Sequence, residues 1–134
     1  MIRVLVVDDT ESFRRRICKM LAMLPNVHVV CEVSDGVAAV NKAQELQPDA
    51  ILLDVGLPKL NGIEAGRQIR KLSRKSRIIF VSQESSAEVV QEALDLGARA
   101  YVLKSKLAGD LQTAIDTALE GGQFVSKGLL PEVP

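Results

Sequence analysis

Polar side chains that could bind a cation or a phosphoryl group stand where apolar segments of the sequence end. Asp8 and Asp9 follow the first apolar segment, Asp54 follows the third, Ser82 ends the fourth and Lys104 follows the fifth. Crowded carboxylates repel each other by about 1 to 4 kcal/mol per pair at a surface-like dielectric, and Mg²⁺, which prefers oxygen ligands, relieves that repulsion. A carboxylate can also attack phosphorus, while a metal, a hydroxyl and an ammonium neutralise the phosphoryl oxygens. These five residues together predict Mg²⁺-dependent phosphorylation of Asp54.

The segments that carry these residues alternate between strand-like and helix-like patterns. The predicted strands are Ile2–Val7, Val27–Val33, Ala50–Leu53, Arg77–Ser82 and Arg99–Leu103. Helical spacing fills the intervals; in the first, Phe13 and Ile17 are expected to face inward and Arg14 outward. Strict alternation predicts the α/β class, with a parallel sheet covered by helices on both faces. Because parallel strands end at one edge of a sheet, the polar residues are expected to gather there.

The composition is that of an ordinary folded domain without a general affinity for polyanions or lipid. The 134 residues are 47% apolar, and 17 basic residues balance 17 acidic ones. Only 3% are aromatic, which argues against a stacking surface for single-stranded nucleic acid. The apolar runs are far too short for a bilayer, and Met1 leads directly into the first predicted strand. We therefore predict a cytoplasmic domain that contacts neither nucleic acid nor membrane directly.

Several short motifs resemble those of the response-regulator receiver domains of bacterial two-component systems. Besides the residues at the strand ends, they are Leu57-Pro58 with Asn61-Gly62, and the segment Gly97–Tyr101 that runs on to Lys104. The resemblance covers the whole chain. It implies a flavodoxin-like (βα)5 fold, with a doubly wound, five-stranded parallel sheet in the order 2-1-3-4-5.

The same resemblance implies a role for each polar residue at the strand ends. Asp54 would accept a phosphoryl group from a histidine kinase, and Ser82 and Lys104 would bind that group. The implied Mg²⁺ ligands are Asp9, Asp54 and the Gly56 carbonyl, with Asp8 reaching the ion through water. Members of the family hydrolyse their own acyl phosphate, so the chain is predicted to be a signalling domain and not an enzyme.

The end of the chain is similar to the junction of NarL/FixJ-type regulators. The similar stretch is Ala118–Ser126, which in those proteins precedes a LuxR-like helix-turn-helix domain that binds DNA. We predict a receiver domain over residues 1–125 and a linker or tail over residues 126–134. The chain is then either a receiver excised from a longer transcription regulator or a stand-alone receiver that acts through protein–protein contacts.

Two further residues are predicted to act beside Ser82. An acyl phosphate would offer the Ser82 hydroxyl a new acceptor and free space for Tyr101, on the neighbouring strand, to turn inward. This would repack the surface of the fourth helix, fifth strand and fifth helix, where the family commonly dimerises, so we expect a phosphorylation-dependent homodimer. Gln83 stands where small residues are common in the family. We expect it at the mouth of the site, either screening the acyl phosphate from water or pointing to solvent.

Other interpretations depend on residues near the site and on one basic stretch. A phosphatase or phosphotransferase working through an aspartyl phosphate would need a second carboxylate beside Asp54, and Gly56 stands two positions on. A receiver-like module without phosphorylation would lack an acidic or phosphate-binding position, and all of them are present. Six cations between Arg67 and Arg77 are interpreted as a solvated helix end that complements the helix dipole, rather than a DNA or acidic-partner surface.

Overall fold

A computed structural model describes residues 1–130, in which one parallel sheet is covered by helices on both faces. Its strands are β1 (Ile2–Val7), β2 (Val27–Val33), β3 (Ala50–Leu53), β4 (Arg77–Ser82), β5 (Ala100–Leu103) and β6 (Phe124–Val125). Their order in the sheet is β2-β1-β3-β4-β5-β6. The predicted order 2-1-3-4-5 is therefore confirmed, with one short strand added at the edge.

Five helices connect the strands, and they divide between the two faces of the sheet. They are α1 (Glu11–Ala22), α2 (Gly36–Leu46), α3 (Gly62–Leu72), α4 (Ala87–Asp95) and α5 (Leu107–Leu119). The buried residues of α2, α3 and α4 form one apolar cluster with alternate sheet residues, and those of α1 and α5 form another with the remaining sheet residues. The longest of these helices has 13 residues. No helix of the described chain is long and apolar enough to cross a membrane.

The register of the central strand β3 with its two neighbours explains why the three strands end at nearly the same level. All four of its residues are buried, because β1 and β4 flank it and helices cover both faces. Leu53 lies opposite Val7 and Phe80 in the register of the sheet. The Asp54 N–H continues the ladder by donating to the Val7 carbonyl at 3.2 Å. The residues that follow β1, β3 and β4 consequently emerge side by side.

The loop after β3 folds back onto the backbone of Asp54, and this requires a glycine. Asn61 caps α3 by accepting a hydrogen bond from the Glu64 N–H at 3.0 Å. A Cβ atom on the next residue, Gly62, would lie 1.8 Å from the Asp54 carbonyl oxygen. The Asn61-Gly62 pair thus starts α3 close against the site strand, which a residue with a side chain could not do.

The sixth strand was not expected from the sequence. Phe124 and Val125 lie opposite Ala100 and Tyr101 of β5. Two residues carry no strand periodicity of their own, and only the exposed edge of β5 gives them partners. The observed sheet thus contains the five predicted strands and this short sixth one at its edge.

Part of the predicted tail packs against the fold. The Ser126 hydroxyl donates to Asp110 of α5 at 2.7 Å and accepts a hydrogen bond from the Leu103 N–H at 3.1 Å. Leu129 is 5% exposed and joins the same apolar cluster as Tyr101. Residues 131–134 of the predicted tail lie outside the described residues.

Candidate functional site

A pocket of about 290 Å³ opens at the carboxyl edge of the sheet. Its lining residues are Asp9, Thr10, Asp54, Val55, Gly56, Ser82, Gln83, Glu84 and Lys104. The predicted residues Asp9, Asp54, Gly56, Ser82, Gln83 and Lys104 thus meet in one cavity, although they come from four separate loops. Asp8 lies beneath the pocket and Tyr101 behind it, as described below.

Lys104 joins two of the predicted carboxylates. Its ammonium donates a hydrogen bond to Asp54 Oδ2 at 2.9 Å and lies 2.8 Å from Asp8 Oδ2. The side chains of all three residues are at most 10% exposed. The other oxygen of Asp54 accepts a weak hydrogen bond from the Gly56 N–H at 3.3 Å. Asp54 is therefore fixed by one cation and by its own loop, with its carboxylate at the base of the pocket.

Burial and pairing act in opposite directions on these charges. Burial raises the pKa of the Asp8 carboxyl above its ordinary value, and the Lys104 ammonium and the Thr10 N–H offset this only in part. Burial also disfavours the charged form of Lys104, but its close pairing with the Asp8 and Asp54 carboxylates outweighs that effect and raises its pKa. Lys104 accordingly remains a cation at neutral pH, whereas Asp8 would gain from a further positive charge nearby.

The three carboxylates have the composition and spacing of a divalent-cation site. Asp8, Asp9 and Asp54 each offer an oxygen, and these oxygens all lie within 4.8 Å of one another. Asp8 Oδ2 is buried, and within residues 1–130 it has no hydrogen-bond partner, because Lys104 approaches it outside hydrogen-bond geometry. Buried carboxylate oxygens normally accept hydrogen bonds, so one that has only an ion pair and lies beside two other carboxylates fits a metal ligand. The residues present therefore suit Mg²⁺. Gly56 also lines the pocket, so its carbonyl is a candidate for a further ligand.

Ser82 begins the loop on the other side of the pocket. It is buried, and its hydroxyl accepts a hydrogen bond from the Glu84 N–H at 3.1 Å. This turn places Gln83 between them, exposed and on the pocket wall. Glu84 also lines the pocket, which its sequence position did not indicate, since a charged loop residue two positions after a strand is ordinarily solvated.

Tyr101 is already turned inward in this structure. Its ring is fully buried, 6.0 Å from the ring of Phe80, and its hydroxyl donates to the Glu84 carbonyl at 2.7 Å. Burial raises the pKa of the phenol to about 12. Because the hydroxyl finds a carbonyl partner, the inward position costs no lost hydrogen bond. The backbone of Glu84 thus links Ser82 to Tyr101, because its N–H donates to the Ser82 hydroxyl and its carbonyl accepts from the Tyr101 hydroxyl. The use of this link as a switch stays a prediction.

Two residues of α1 also contact the site, and the sequence pattern did not predict these contacts. The ammonium of Lys104 lies 4.4 Å from the centre of the Phe13 ring. Arg14 donates to the Asp8 carbonyl at 2.8 Å and pairs with Glu32 of β2 at 3.3 Å. The expectation that Arg14 faces outward is therefore wrong, because the first turn of α1 leans over the carboxyl end of β1. Helical spacing gives the angle around a helix but not how the helix docks.

Fold and site together define a class of protein. The family model described as the response regulator receiver domain matches residues 4–116, so the chain belongs to that family. Within the family, it is similar to the receivers of NarL/LuxR-type regulators. The nitrate/nitrite response regulator NarL of Escherichia coli is 35% identical over 128 residues, which cover 96% of this chain and 59% of that protein. The chain thus spans about three-fifths of the length of this relative.

Solved structures give the same assignment. A LuxR-family two-component response regulator from Aurantimonas sp. SI85-9A1 superposes with a TM-score of 0.90 at 31% identity, covering 95% of this chain and 91% of that one. The isolated receiver domain of RcsB from Salmonella enterica, determined in the presence of the phosphate mimic BeF3⁻, gives a TM-score of 0.89 at 26% identity. It covers 97% of this chain and 99% of that one. The predicted flavodoxin-like receiver fold is confirmed.

Proposed function

We propose that this receiver domain accepts a phosphoryl group on Asp54 from a histidine kinase, in a reaction that requires Mg²⁺. One observation carries the proposal: the Asp54 carboxylate lies in the pocket within reach of two other carboxylates and of the Lys104 ammonium. Structural ion pairs rarely bring three carboxylates, two of them buried, together with a single cation, because their repulsion needs a further positive charge.

The side chains around Asp54 divide the work of the transfer. An Asp54 oxygen attacks phosphorus, the bond to the donor histidine nitrogen breaks, and that nitrogen keeps the electron pair and is later protonated by solvent. Bound Mg²⁺ would supply positive charge to the phosphoryl oxygens, with Asp8 and Asp9 holding it beside Asp54. Lys104 would exchange its contact with Asp54 for a phosphoryl oxygen, and the Ser82 hydroxyl would donate to another.

We place the output of this switch in NarL/LuxR-type transcription control in the cytoplasm. The similarity to NarL supports this, as does the hydrogen-bonded link from Ser82 through the Glu84 backbone to Tyr101 on β5. If Ser82 leaves the Glu84 N–H for a phosphoryl oxygen, the contacts that hold the inward Tyr101 would change, which would alter the surface of α4, β5 and α5 and favour a homodimer of phosphorylated chains. A stand-alone receiver acting only through protein contacts would use the same surface.

We further propose that the domain catalyses only its own phosphorylation from small donors and its own dephosphorylation. Within the pocket, the position two residues after Asp54 is Gly56, which has no side chain to act as an acid or base on a bound substrate. Turnover of a separate phosphate ester would contradict this part of the proposal.

Intact mass spectrometry with acetyl phosphate tests the phosphoacceptor directly. The native chain should gain one phosphoryl group in the presence of Mg²⁺ and none after chelation of the metal. Asp54→Asn should abolish the gain, because the amide oxygen is not a nucleophile of comparable strength. Asp116→Asn, an exposed aspartate on α5, is the matched control and should be labelled like the native chain. Equal labelling of Asp54→Asn and the native chain would remove Asp54 from this role.

A further inference from the structure

A second concave surface lies away from Asp54, between the end of α3 and the turn that connects α4 to β5. It encloses about 730 Å³. We call it the α3 groove, and its lining residues are Glu64, Arg67, Gln68, Arg70, Lys71, Arg74 and Leu96. It shares no residue with the Asp54 pocket. The proposed phosphorylation chemistry therefore makes no use of it.

The charge of the α3 groove is strongly positive and largely uncompensated. The carboxylate of Glu64 is already paired with Arg67 at 3.1 Å, and Arg67 also pairs with Glu92 of α4. By contrast, no carboxylate of residues 1–130 forms an ion pair with Arg70, Lys71 or Arg74. Three cations thus face one groove without a carboxylate partner among residues 1–130, although the whole chain has no net charge. Such a local field attracts an anionic partner.

Arg70 is held in place over the groove by its neighbours. Its guanidinium donates to the Arg74 carbonyl at 3.2 Å. A Cβ atom on Gly97 would lie 2.7 Å from Arg70 Nε, so this glycine, whose φ is +110°, leaves the room in which the guanidinium lies. A pre-positioned arginine loses less side-chain entropy on binding than a lysine that extends freely into water.

Stabilisation of the helix end does not account for the whole arrangement. Arg70 and Lys71 lie in the last turn of α3, where cations favour the carbonyl end of the helix dipole. Arg74 lies beyond the end of that helix, however, and Leu96 comes from the end of α4. A dipole effect requires neither a concave shape nor a half-buried leucine on its wall.

We propose that the α3 groove binds an acidic peptide segment of a partner protein. Carboxylates of the segment would pair with Arg70, Lys71 and Arg74, the arginines offering bidentate geometry. An apolar side chain of the segment would contact Leu96. A nucleic-acid backbone fits these observations less well, since it favours a broad basic surface and gains nothing from an apolar wall.

Fluorescence anisotropy with a labelled peptide of alternating glutamate and leucine tests the proposal. The full chain should bind this probe, and binding should weaken as salt is raised because the contacts are ionic. The variant R70Q/K71Q/R74Q should lose about tenfold or more in affinity, since it removes three solvent-screened ionic contacts at once. The matched control R15Q/R16Q/K19Q removes three exposed cations from α1 and should bind within about twofold of the native chain.

Further measurements separate the alternatives. The same peptide with glutamine in place of glutamate should not bind, and amide chemical-shift changes should fall on α3 and Leu96. Asp54→Asn should bind the peptide as the native chain does, so failure of the phosphorylation proposal and failure of this one are distinguishable. Equal binding by the two triple variants would overturn the proposal. Tighter binding of a DNA duplex than of the peptide, lost in R70Q/K71Q/R74Q, would also overturn it and assign the groove to nucleic acid.

Discussion

At the scale of single residues, the Asp54 pocket is organised by a few side chains that each have more than one partner. Lys104 contacts two carboxylates and the face of the Phe13 ring. Glu84 accepts a hydrogen bond from Tyr101 at its carbonyl and donates one from its N–H to Ser82. Shared partners make the residues interdependent, so changes at one are expected to be felt at the others. Two predictions concern side chains at the rim and at the back of this pocket.

Gln83 stands at the rim, and we predict that it shields a phosphorylated Asp54. Water must approach the acyl phosphate in line from the open side, where a long amide takes up space. Gln83→Ala should therefore speed both dephosphorylation and labelling by small donors several-fold, or about 1 kcal/mol in barrier. Gln91→Ala, an exposed glutamine on α4, serves as the control and should leave both rates unchanged. Slower rates in Gln83→Ala would mean that the amide orients the water instead.

Tyr101 lies at the back of the pocket, and its ionisation can be followed alone because the chain has one tyrosine and no tryptophan. Burial raises its pKa to about 12, so the absorbance of tyrosinate in the folded chain should appear with a midpoint near that value, against about 10 for a free phenol. The folded-state pKa exceeds the unfolded one. The resulting stability is complete below about pH 10 and is lost as the pH rises through about 12.

Denaturant unfolding over this alkaline range completes the test. Tyr101→Phe should reduce the loss of unfolding free energy at high pH. It should not remove that loss entirely, because burial also raises the pKa of the Cys18 thiol to about 11. A tyrosinate midpoint near the ordinary value would show that the phenol is not buried in solution.

At the scale of elements, the site depends on how closely loops approach the ends of the strands. The β3–α3 loop returns so tightly that the position of Gly62 is filled by the backbone of Asp54. The turn before α4 is closed by hydrogen bonds to Ser82 and to Ser86, which caps the helix. Close packing of this kind transmits small displacements, because the elements cannot yield independently.

Gly62→Ala is predicted to disturb both stability and the site. The new methyl group would meet the Asp54 carbonyl oxygen at 1.8 Å, so the loop must move, at a cost of about 1 to 3 kcal/mol for overpacking. Labelling of Asp54 should fall with it. Gly109→Ala is the matched control: the space around its Cβ position is open, and alanine within α5 should raise the unfolding free energy by about 0.5 to 1 kcal/mol. Chemical denaturation should show a lower unfolding free energy for Gly62→Ala and a higher one for Gly109→Ala. Equal changes in the two variants would contradict the steric argument.

At the scale of the whole molecule, the fold is held together across the sheet edges as well as through its two cores. Ser126 joins α5 to β5, and Leu129 reaches the apolar cluster on the opposite face of the sheet from α5. The segment after β6 therefore passes around the β5 edge and packs beside Tyr101. We therefore expect residues 126–130 to contribute directly to the stability of the receiver.

Leu129→Ala should accordingly destabilise the domain. Truncating a buried leucine costs about 2 to 5 kcal/mol, and the residue is 5% exposed. Leu72→Ala is the control on the surface of α3, where the side chain is 41% exposed, and its effect should stay within about 0.5 kcal/mol. Thermal and urea unfolding of the two variants measure the difference. Similar unfolding free energies would show that the segment after β6 does not pack on the domain in solution.

The sequence by itself determined the alternation of strands and helices, the α/β class, and the strand ends on which Asp8, Asp54, Ser82 and Lys104 stand. Alternation and apolar runs are local patterns, and parallel strands necessarily end at one edge, so these features follow without knowledge of the packing. The family resemblance carried by the motifs added the strand order.

Only the tertiary structure decided the contacts that join elements distant in sequence. The docking of α1 brings Phe13 onto Lys104 and Arg14 onto Asp8, and the free edge of β5 gives β6 its partners. The α3 groove likewise exists only because the turn after α4 lies against α3. Sequence patterns specify which face of an element is apolar, whereas the angle and distance at which two elements meet depend on the close packing of every side chain between them.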